Sequence, residues 1–578
     1  TTRLVGSEMC IRDRSNIIGY KFKGCDKTMM PKLFTMFKNK EITKNQVAKD
    51  IIAGIIVAVI ALPLSIALAI SSGVSPEKGL ITAIFAGFLI SFLGGSKVQI
   101  GGPTAAFVTI IYSIIAEHGL DGLITAVIMA GIILVIMGLL RFGSLIRYVP
   151  KTITVGFTAG IAVTLFSGQL KDLLGLQIDN VPAEFIPKWE SYFANMNTLN
   201  IYSLAIGIGC IIIIALWPKV NKVIPGSMIA LIVSTLLVQV LHLPVDTIGS
   251  RFTEISSAIP IPALPSFSIA TINKLFAPAI TIAILGALES LLSAVVADEM
   301  IDDTHDSNME LVAQGIANIT SGLFGGIPAT GAIARTAANI KSGGKSPISG
   351  MVHAITLLFT MLLLMPLAKM IPMTTLSAIL IVVAYNMSGW RTFKELLRAP
   401  KSDIIVLLVT FGCTVIFDLV VAIGFGMIMT MALFMKRVTD TTEIRDLVYE
   451  KVFEGDITEM LEDAAGKINI YQVNGPIFFG VVQDFIHKTK ELNQSMEVLI
   501  LDMRHTHAID ASAVDAINKL LAQCSKLNIK LYLTHVNEQP ARVLKRMGFT
   551  DRLGEENIYE TKTKAIVDAY EYVQKLIA

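Results

Sequence analysis

Between residues 49 and 437 the chain alternates apolar blocks with short polar connections. A helix needs about 20 apolar residues to cross a bilayer, and eleven blocks predict such spans. Three weaker blocks are shorter and less apolar, and including them predicts about fourteen membrane helices. The strong blocks are 51–70, 80–93, 123–140, 153–166, 201–217, 224–240, 276–297, 352–367, 376–385, 404–417 and 420–434, and the weaker ones are 103–116, 311–324 and 328–340.

Basic residues follow these blocks in a regular order. Several lysines precede the first block, and further lysines and arginines lie on alternate connections, whereas the intervening connections carry far fewer. This is the positive-inside pattern of membrane proteins. Together with an even number of spans, it predicts that both termini are cytoplasmic. The basic residues are Lys32, Lys38, Lys40, Lys44, Lys49, Arg141, Arg147, Lys151, Lys219, Lys222, Lys341, Lys345, Arg391, Lys394, Arg398, Lys401, Lys436 and Arg437.

After residue 437 the hydrophobic pattern changes. Short strands at 468–472, 498–502 and 530–534 alternate with helices at 511–524 and 540–547, which predicts a small α/β domain. Residues 1–30 are interpreted as a non-native leader, because the string VGSEMCIRDR looks like translated adapter sequence. The predicted organisation is leader 1–30, transmembrane domain 31–437, linker 438–465 and cytoplasmic α/β domain 466–578.

Composition agrees with a membrane protein and gives no support to nucleic-acid binding, a disulfide framework, a metal site or an enzyme. The 578 residues are 53% hydrophobic and 16% charged, with a mean hydropathy of +0.64, whereas soluble domains average about 25% charged residues. A net charge of +2 gives no basic field for nucleic acid. The five cysteines show no disulfide or metal-ligand spacing. With no nucleophile–base pair and no metal cluster in the sequence, we predict neither an enzyme nor a metal site.

One local pattern occurs twice. Residues 98–108 read VQIGGPTAAFV, and residues 323–335 read LFGGIPATGAIAR. Each has a Gly-Gly pair, a proline soon after it, and small residues that lead into a helix. Glycine permits non-helical backbone and proline favours the first turn of a helix. Each block therefore predicts a half-helix that starts inside the membrane. Matched interruptions of this kind indicate an inverted-repeat transporter that binds its substrate where the half-helices meet.

Two helix starts that point at one cavity can bind an anion without a metal or cofactor. The first N–H groups of a helix lack intrahelical partners, and the macrodipole adds about half a positive charge. Arg335 adds a full charge, and Thr104 and Thr330 can supply hydroxyl donors. The alternative is that both blocks are only packing kinks, because small residues let helices approach closely.

Glu289 is the second candidate. It lies in an otherwise apolar helix, with Ser290 beside it and Ser293 one turn further on. An ionisable group inside the membrane is costly and suggests a site for a coupling ion, either sodium or a proton. The alternative is a structural ion pair with Arg335. His353 begins another apolar block and is interpreted as an interfacial side chain.

Several motifs together resemble the SulP family of anion transporters, whose animal relatives include pendrin and prestin. They are ALPLSIALAI (61–70), IGGPTAAF (100–107), LGALESLLSAVVAD (285–298), ELVAQGIANI (310–319), PATGAIARTAANI (328–340) and AYNMSGW (384–390). The C-terminal domain, with IDASAVDAI at 509–517, resembles a STAS domain. The resemblance implies an α-helical polytopic membrane protein with about fourteen helices in a seven-plus-seven inverted repeat, a core domain that moves against a gate domain, and a homodimer.

The resemblance also implies which residues form the site. They surround an anion between the third and tenth helices and are Thr104, Ala105, Ala106, Thr330, Ala332, Ala334 and Arg335. Several animal members have serine where this chain has Ala332 and Ala334, so backbone N–H groups must contribute more here. Glu289 matches an acidic position that looks cation-coupled in bicarbonate-transporting bacterial members. Ser512 falls where related anti-sigma antagonists are phosphorylated, although a helix N-cap explains Asp510 or Ser512 as well.

These features predict a secondary active transporter of small anions in a bacterial inner membrane, working by alternating access. Sulfate is the leading substrate. Bicarbonate or a C4-dicarboxylate, taken up with sodium or protons, is the alternative substrate. An anion channel or a STAS-centred signalling receptor is the alternative class. The predicted partners are the anion, the lipid bilayer, a second copy of the chain and a cytosolic regulator at the STAS domain. No other cofactor is predicted.

Overall fold

The computed structural model describes residues 29–178, 181–221, 224–252, 255–265, 268–417, 419–448, 456–464, 466–482 and 496–577. The predicted leader lies outside them, except for residues 29 and 30. The chain divides into two compact units, Thr1–Met427 and Ile428–Ala578. The first unit is helical, and the second contains a five-stranded sheet.

The first unit is built from helices of very different lengths. Two two-residue strands, β1 (Gly101–Gly102) and β2 (Thr330–Gly331), interrupt the helical series. The helices are α1 Lys32–Lys38, α2 Lys44–Ser71, α3 Pro76–Leu93, α4 Val108–Leu139, α5 Lys151–Leu174, α6 Phe185–Ala194, α7 Ile201–Val220, α8 Gly226–Leu241, α9 Ile248–Arg251, α10 Ile269–Ile301, α11 Ser307–Leu323, α12 Ile333–Lys341, α13 Ile348–Ala368, α14 Met373–Met387, α15 Trp390–Leu396, α16 Lys401–Ile416 and α17 Leu419–Thr441, the last of which continues into the second unit.

Each of the fourteen predicted segments overlaps one of these helices, and the segments 103–116 and 328–340 begin before α4 and α12 respectively. Within the described part of the chain, nine helical stretches are long and apolar enough to span a membrane. The third and fourth predicted segments share α4, which bends at Gly119 with φ 67° and ψ −172°. Glycine adopts this backbone without a Cβ penalty. The chain thus turns within what is otherwise one continuous helix.

Local sequence sets the ends of the long helices. The Thr43 side chain accepts a hydrogen bond from the Gln46 N–H and begins α2. Ser268 does the same for the N–H of Thr271 at the start of α10, and Asp302 ends that helix in a left-handed conformation. Side-chain oxygens at these positions satisfy N–H groups that have no partner within the helix.

The helices of the first unit pack in two groups. The core helices are α2, α3, α4, α10, α11, α12 and α13, and the gate helices are α5, α7, α8, α14 and α16. Contacts of α2 with α8 and α14, and of α4 with α5, join the groups. Within the core, α4 and α11 approach closely at Gly131 and Gly315, where a Cβ on Gly131 would lie 2.7 Å from the Gly315 carbonyl oxygen.

The second unit is a small α/β domain. Its strands are β3 Glu443–Asp446, β4 Ile468–Asn474, β5 Val498–His505, β6 Lys530–Thr534 and β7 Ile558–Tyr559, and its helices are α18 Asp456–Asp463, α19 Ala511–Lys526, α20 Glu538–Arg546, α21 Phe549–Leu553 and α22 Lys562–Ile577. The sheet has the order β3–β4–β5–β6–β7, with β3 antiparallel to β4 and the other neighbours parallel. Central β5 is buried from Val498 to Met503, as expected for a parallel strand covered on both faces.

The stretch predicted as a linker, 438–465, contains more structure than a linker. The end of α17, strand β3 and helix α18 all lie within it. Strand β3 extends the sheet by pairing Glu443 with Asn474 and Asp446 with Tyr471. Strand β3 is short and mixes charged with apolar residues, so its sequence does not predict a strand. It becomes a strand because it pairs with β4.

The α4–α11 contact yields a stability prediction. We expect Gly131→Ala to destabilise the protein, because the new methyl group would also lie 2.8 Å from the Ile319 backbone nitrogen. Overpacking of this kind costs about 1–3 kcal/mol. Thermal unfolding of the full chain in detergent measures the effect. Gly209→Ala on α7 is the matched control, since its Cβ meets nothing within 4 Å. Equal midpoints for the two variants would contradict this view of the contact.

Candidate functional site

The two predicted half-helices meet at a pair of short strands. Strand β1 pairs antiparallel with β2, with Gly101 opposite Gly331 and Gly102 opposite Thr330. The Ala332 N–H extends the pairing by donating to the Ile100 carbonyl at 2.9 Å. Because the strands are antiparallel, the chain leaves them in opposite directions. The starts of α4 and α12 are therefore held beside each other.

Neither half-helix is capped by the side chain that precedes it. Thr104 precedes a 3-10 turn at Ala105–Phe107 that leads into α4, and its hydroxyl makes no cap hydrogen bond. It donates instead to Glu289 Oε2 at 2.7 Å. Ala332 precedes α12 and has no polar side chain to offer. The first N–H groups of both helices are left for a ligand, and the positive ends of the dipoles add to their attraction for an anion.

Arg335 links the second half-helix to the start of the first. Its Nη2 donates to the Pro103 carbonyl oxygen, and the side chain is only 3% exposed. Its Nη1 is buried without a hydrogen-bond partner among the described residues. Gly102 lies directly against it, and a Cβ at this position would displace the guanidinium. The protein therefore holds Arg335 through Nη2, whereas Nη1 has no acceptor among the described residues.

The structure does not form the ion pair that was considered between Glu289 and Arg335. The described ion pairs do not include these two side chains. Glu289 accepts from Thr104 on the first half-helix, and Arg335 donates to the backbone before that half-helix. The two charges hold the same segment from different sides.

The other predicted hydroxyls are used for packing. Thr330 and Ser290 hydroxyls are 2.7 Å apart, and Ser290 Oγ also accepts from the Gly331 N–H at 3.0 Å. Ser293 Oγ lies 3.4 Å from the Thr336 hydroxyl. Thr330, Ser290 and Ser293 are fully buried. They attach α10 to the second broken helix, so Thr330 and Ser293 have no hydroxyl turned toward open space.

The predicted alanines differ in exposure. Ala105, Ala106 and Ala332 are nearly buried, whereas Ala334 is exposed. With methyl side chains, these positions can offer a ligand only backbone groups and close approach. The open surface of the candidate site is therefore made by the first turn of α12 together with Thr104 and Glu289, which are partly exposed.

One supporting residue, Asn318, was not singled out by the sequence analysis. The Asn318 amide donates to the Ala329 carbonyl and accepts from the Ala329 N–H, both at 2.8 Å, and so holds the segment before β2. The sequence feature that could have indicated Asn318 is an amide side chain on a largely apolar helix. His353 was interpreted as interfacial, but it is fully buried and neither ring nitrogen has a partner among the described residues. Helices α2 and α3 cover the start of α13, so the His353 side chain packs inside the protein.

The second unit holds the remaining candidate, Ser512. Asp510, not Ser512, is the N-cap of α19, and its carboxylate accepts from the Ala513 N–H at 2.8 Å. Ser512 is the second residue of the helix and is half-buried. Of the two N-cap candidates, the structure selects Asp510.

The arrangement near the half-helices suits a small anion. It offers backbone N–H groups and a guanidinium, with one carboxylate at its edge. Among the described residues, no group of three His, Cys, Asp or Glu side chains could hold a metal ion.

Comparisons with known proteins match both parts of the chain. The model of the Sulfate permease family matches residues 47–410, and the STAS domain model matches residues 463–565. The "Putative sulfate transporter YvdB" of Bacillus subtilis (strain 168) is 40% identical, over 91% of this chain and 98% of its own length. The "Bicarbonate transporter BicA" of a Picosynechococcus species is 28% identical, over 90% of this chain and 94% of its own length.

Solved structures agree with the fold. The transmembrane domain of a cyanobacterium bicarbonate transporter BicA has a TM-score of 0.61 and 30% identity, and covers 66% of this chain and 98% of its own. The overall structure of SLC26A9 has a TM-score of 0.83 and 18% identity, and covers 100% of this chain and 98% of its own. The predicted fold class, a polytopic helical membrane protein with an α/β STAS domain, is confirmed. The matched relatives are transporters, which confirms that the chain is not an enzyme.

The position of Arg335 gives a binding prediction. We expect Arg335→Ala to weaken the binding of sulfate to the purified chain by roughly tenfold or more, because a hydrogen bond from a charged group contributes about 1.5–3 kcal/mol. Equilibrium binding of radiolabelled sulfate measures it. Arg391→Ala, an exposed arginine at the start of α15, is the control. An unchanged affinity in a monodisperse, folded Arg335→Ala protein would rule out this role.

Proposed function

Because the chain belongs to the sulfate permease family and carries a C-terminal STAS domain, we propose that it is a secondary active transporter of small anions. In this proposal sulfate is the leading substrate, and transport proceeds by alternating access. The observation that carries the proposal is the meeting of two uncapped helix starts at β1 and β2, with Arg335 beside them.

Two groups of helices around this meeting point support alternating access. Both half-helices belong to the core helices, and α5 of the gate helices contacts α4 and the turn before it. Movement of the core against the gate would carry the anion with the half-helices. Such a movement would separate α4 from α5 and leave the close packing of α4 on α11 at Gly131 and Gly315 intact.

Bicarbonate is the second candidate substrate, and one contact favours it. The Thr104 hydroxyl bonds Glu289 directly, so an acidic group lies at the start of the first half-helix. A carboxylate at that place opposes a doubly charged anion more strongly than a singly charged one. The relative named as a bicarbonate transporter adds to this alternative.

We further propose that Glu289 binds the coupling ion, sodium or a proton. The cation would reduce the repulsion between Glu289 and the bound anion, so the two solutes would be favoured together. Ser293 was the other candidate for the coupling-ion site. Its hydroxyl is buried 3.4 Å from the Thr336 hydroxyl, so the proposal is argued from Glu289 alone.

Other features of the proposal have different origins. The family resemblance implies the seven-plus-seven inverted repeat and the homodimer, and the positive-inside pattern predicts the cytoplasmic termini. The proposed location is a bacterial inner membrane. Regulation through the STAS domain is proposed at Ser512, because a phosphate near the N-terminus of α19 would meet favourable N–H groups and the helix dipole.

A coupling experiment follows from the position of Glu289. We expect uptake by the wild-type protein in proteoliposomes to respond to a sodium or proton gradient, and we expect the Glu289→Gln variant to lose that response because an amide cannot gain or lose the charge. The measurement compares initial uptake with and without each gradient. Thr104→Ser, which keeps the hydroxyl donor, is the control. Identical gradient responses in wild type and Glu289→Gln would refute the coupling role.

A substrate panel separates the proposed carrier from its alternatives. Radiolabelled sulfate, bicarbonate and succinate are each offered to proteoliposomes that contain the full chain. We expect saturable, gradient-coupled uptake of one inorganic anion, because a carrier exposes its site to one side at a time. Uncoupled, non-saturating conductance would indicate a channel. Absence of flux for every anion, from a protein that binds none of them, would favour a receptor.

A further inference from the structure

A cavity of about 260 Å³ lies beside the candidate site, between core helices and a gate helix. The end of α2, the first turns of α4 and the last turns of α5 form its walls, and α6 and α9 complete it. Val108 and Thr109 line it, and they follow the turn Ala105–Phe107 directly. The cavity therefore begins about one helical turn beyond the first half-helix start and is separate from the groups at β1 and β2.

Helix α6 presents two polar side chains to this cavity. Lys188 and Tyr192 are four residues apart, and so lie on one face of the helix. The Trp189 indole N–H donates to Ser167 Oγ on α5 at 3.2 Å and ties α6 to the gate helix. A contact outside the cavity thus holds the helix that carries the two side chains.

Neither side chain has a hydrogen-bond or ion-pair partner among the described residues. The Lys188 ammonium group makes no such contact there, and burial lowers its pKa because the charged form loses hydration. Tyr192 is 2% exposed, and its hydroxyl is buried with no hydrogen-bond partner among the described residues. A half-buried cation and an unpaired hydroxyl on one face suit a ligand that carries negative charge and accepts hydrogen bonds.

The other charged groups of the cavity already have partners. Arg251 donates to both carboxylate oxygens of Asp172, at 3.0 and 3.3 Å. Lys171 donates to the Ile178 carbonyl oxygen. The carboxylate of Asp172 is therefore engaged at the rim by arginine. Water could fill the space, but it would not supply the counter-charge that the Lys188 ammonium lacks.

The segments that line the cavity share one side of the membrane in the charge-based topology. They are the end of the first span, the connection after the fifth span and the connection before the eighth, all of which the positive-inside pattern assigns to the exterior. We propose that Lys188 and Tyr192 form a second, outer binding site for a small inorganic anion. This site captures the anion from the exterior before it reaches the half-helices. The inference rests on the proposed transport function and adds a binding step to it.

Equilibrium binding of radiolabelled sulfate to the full chain in lipid-free detergent tests the outer site. We expect two sulfate ions to bind the wild-type protein. Lys188→Gln and Tyr192→Phe should each weaken one of them, the former by roughly tenfold, because a charged donor is lost. Lys188→Arg keeps the charge and should retain both. Lys274→Gln is the control, since Lys274 is an exposed lysine near the start of α10 that does not line the cavity.

Transport separates this inference from the proposed function. In proteoliposomes with the exterior face outward, Lys188→Gln should raise the KM for external sulfate with little change in kcat, because the central site is intact. An isotherm and a KM equal to those of the wild type, in a folded Lys188→Gln protein, would overturn the outer site. If no anion is transported yet Lys188→Gln still loses one bound sulfate, transport fails and the outer site stands. If Arg335→Ala alone removes all binding, a single central site explains the protein.

Discussion

The backbone of two interrupted helices has to be satisfied inside the bilayer, and the rest of the first unit depends on how this is done. Hydrocarbon offers no hydrogen bonds, so each unpaired N–H or C=O group costs several kcal/mol. Here the backbone N–H and C=O groups of the two interrupted segments pair with each other in β1 and β2, with Gly101 opposite Gly331. This pairing joins segments that are far apart in the chain, and it brings two helix starts to the same place.

Polar side chains on neighbouring helices complete what the short strands leave open. The Thr336 hydroxyl accepts from the Ile100 N–H at 3.1 Å, and the Asn339 amide donates to the Val98 carbonyl at 2.8 Å. Asn318 does the same for the segment before β2. Each of these polar groups would be costly in a membrane helix without a partner. At the starts of α4 and α12, by contrast, no side-chain cap is present among the described residues, and these two helix starts form the candidate site.

Much of this could be predicted from the sequence because the relevant signals are local. Apolar length predicted the spans, and Gly-Gly followed by proline predicted both half-helices. The partners of individual side chains could not be predicted in this way, because they come from distant segments. Thr104 bonds Glu289 from 185 residues away, and Thr330 is buried against Ser290. The burial of His353 and the strand within the predicted linker likewise depend on neighbours that a local pattern does not contain.

The cost of placing Glu289 near an anion explains why such a residue would be useful to a transporter. Two like charges about 4 Å apart repel by about 4 kcal/mol at an effective dielectric constant of about 20. Arg335 offsets part of this repulsion, but its Nη2 is already bonded to Pro103. A cation bound at Glu289 would remove the remaining repulsion between this carboxylate and the anion. In the proposed function, coupling therefore requires no large rearrangement at the site. It follows from the repulsion between the carboxylate and the anion, and from the hydroxyl of Thr104, which places that carboxylate at the start of the first half-helix.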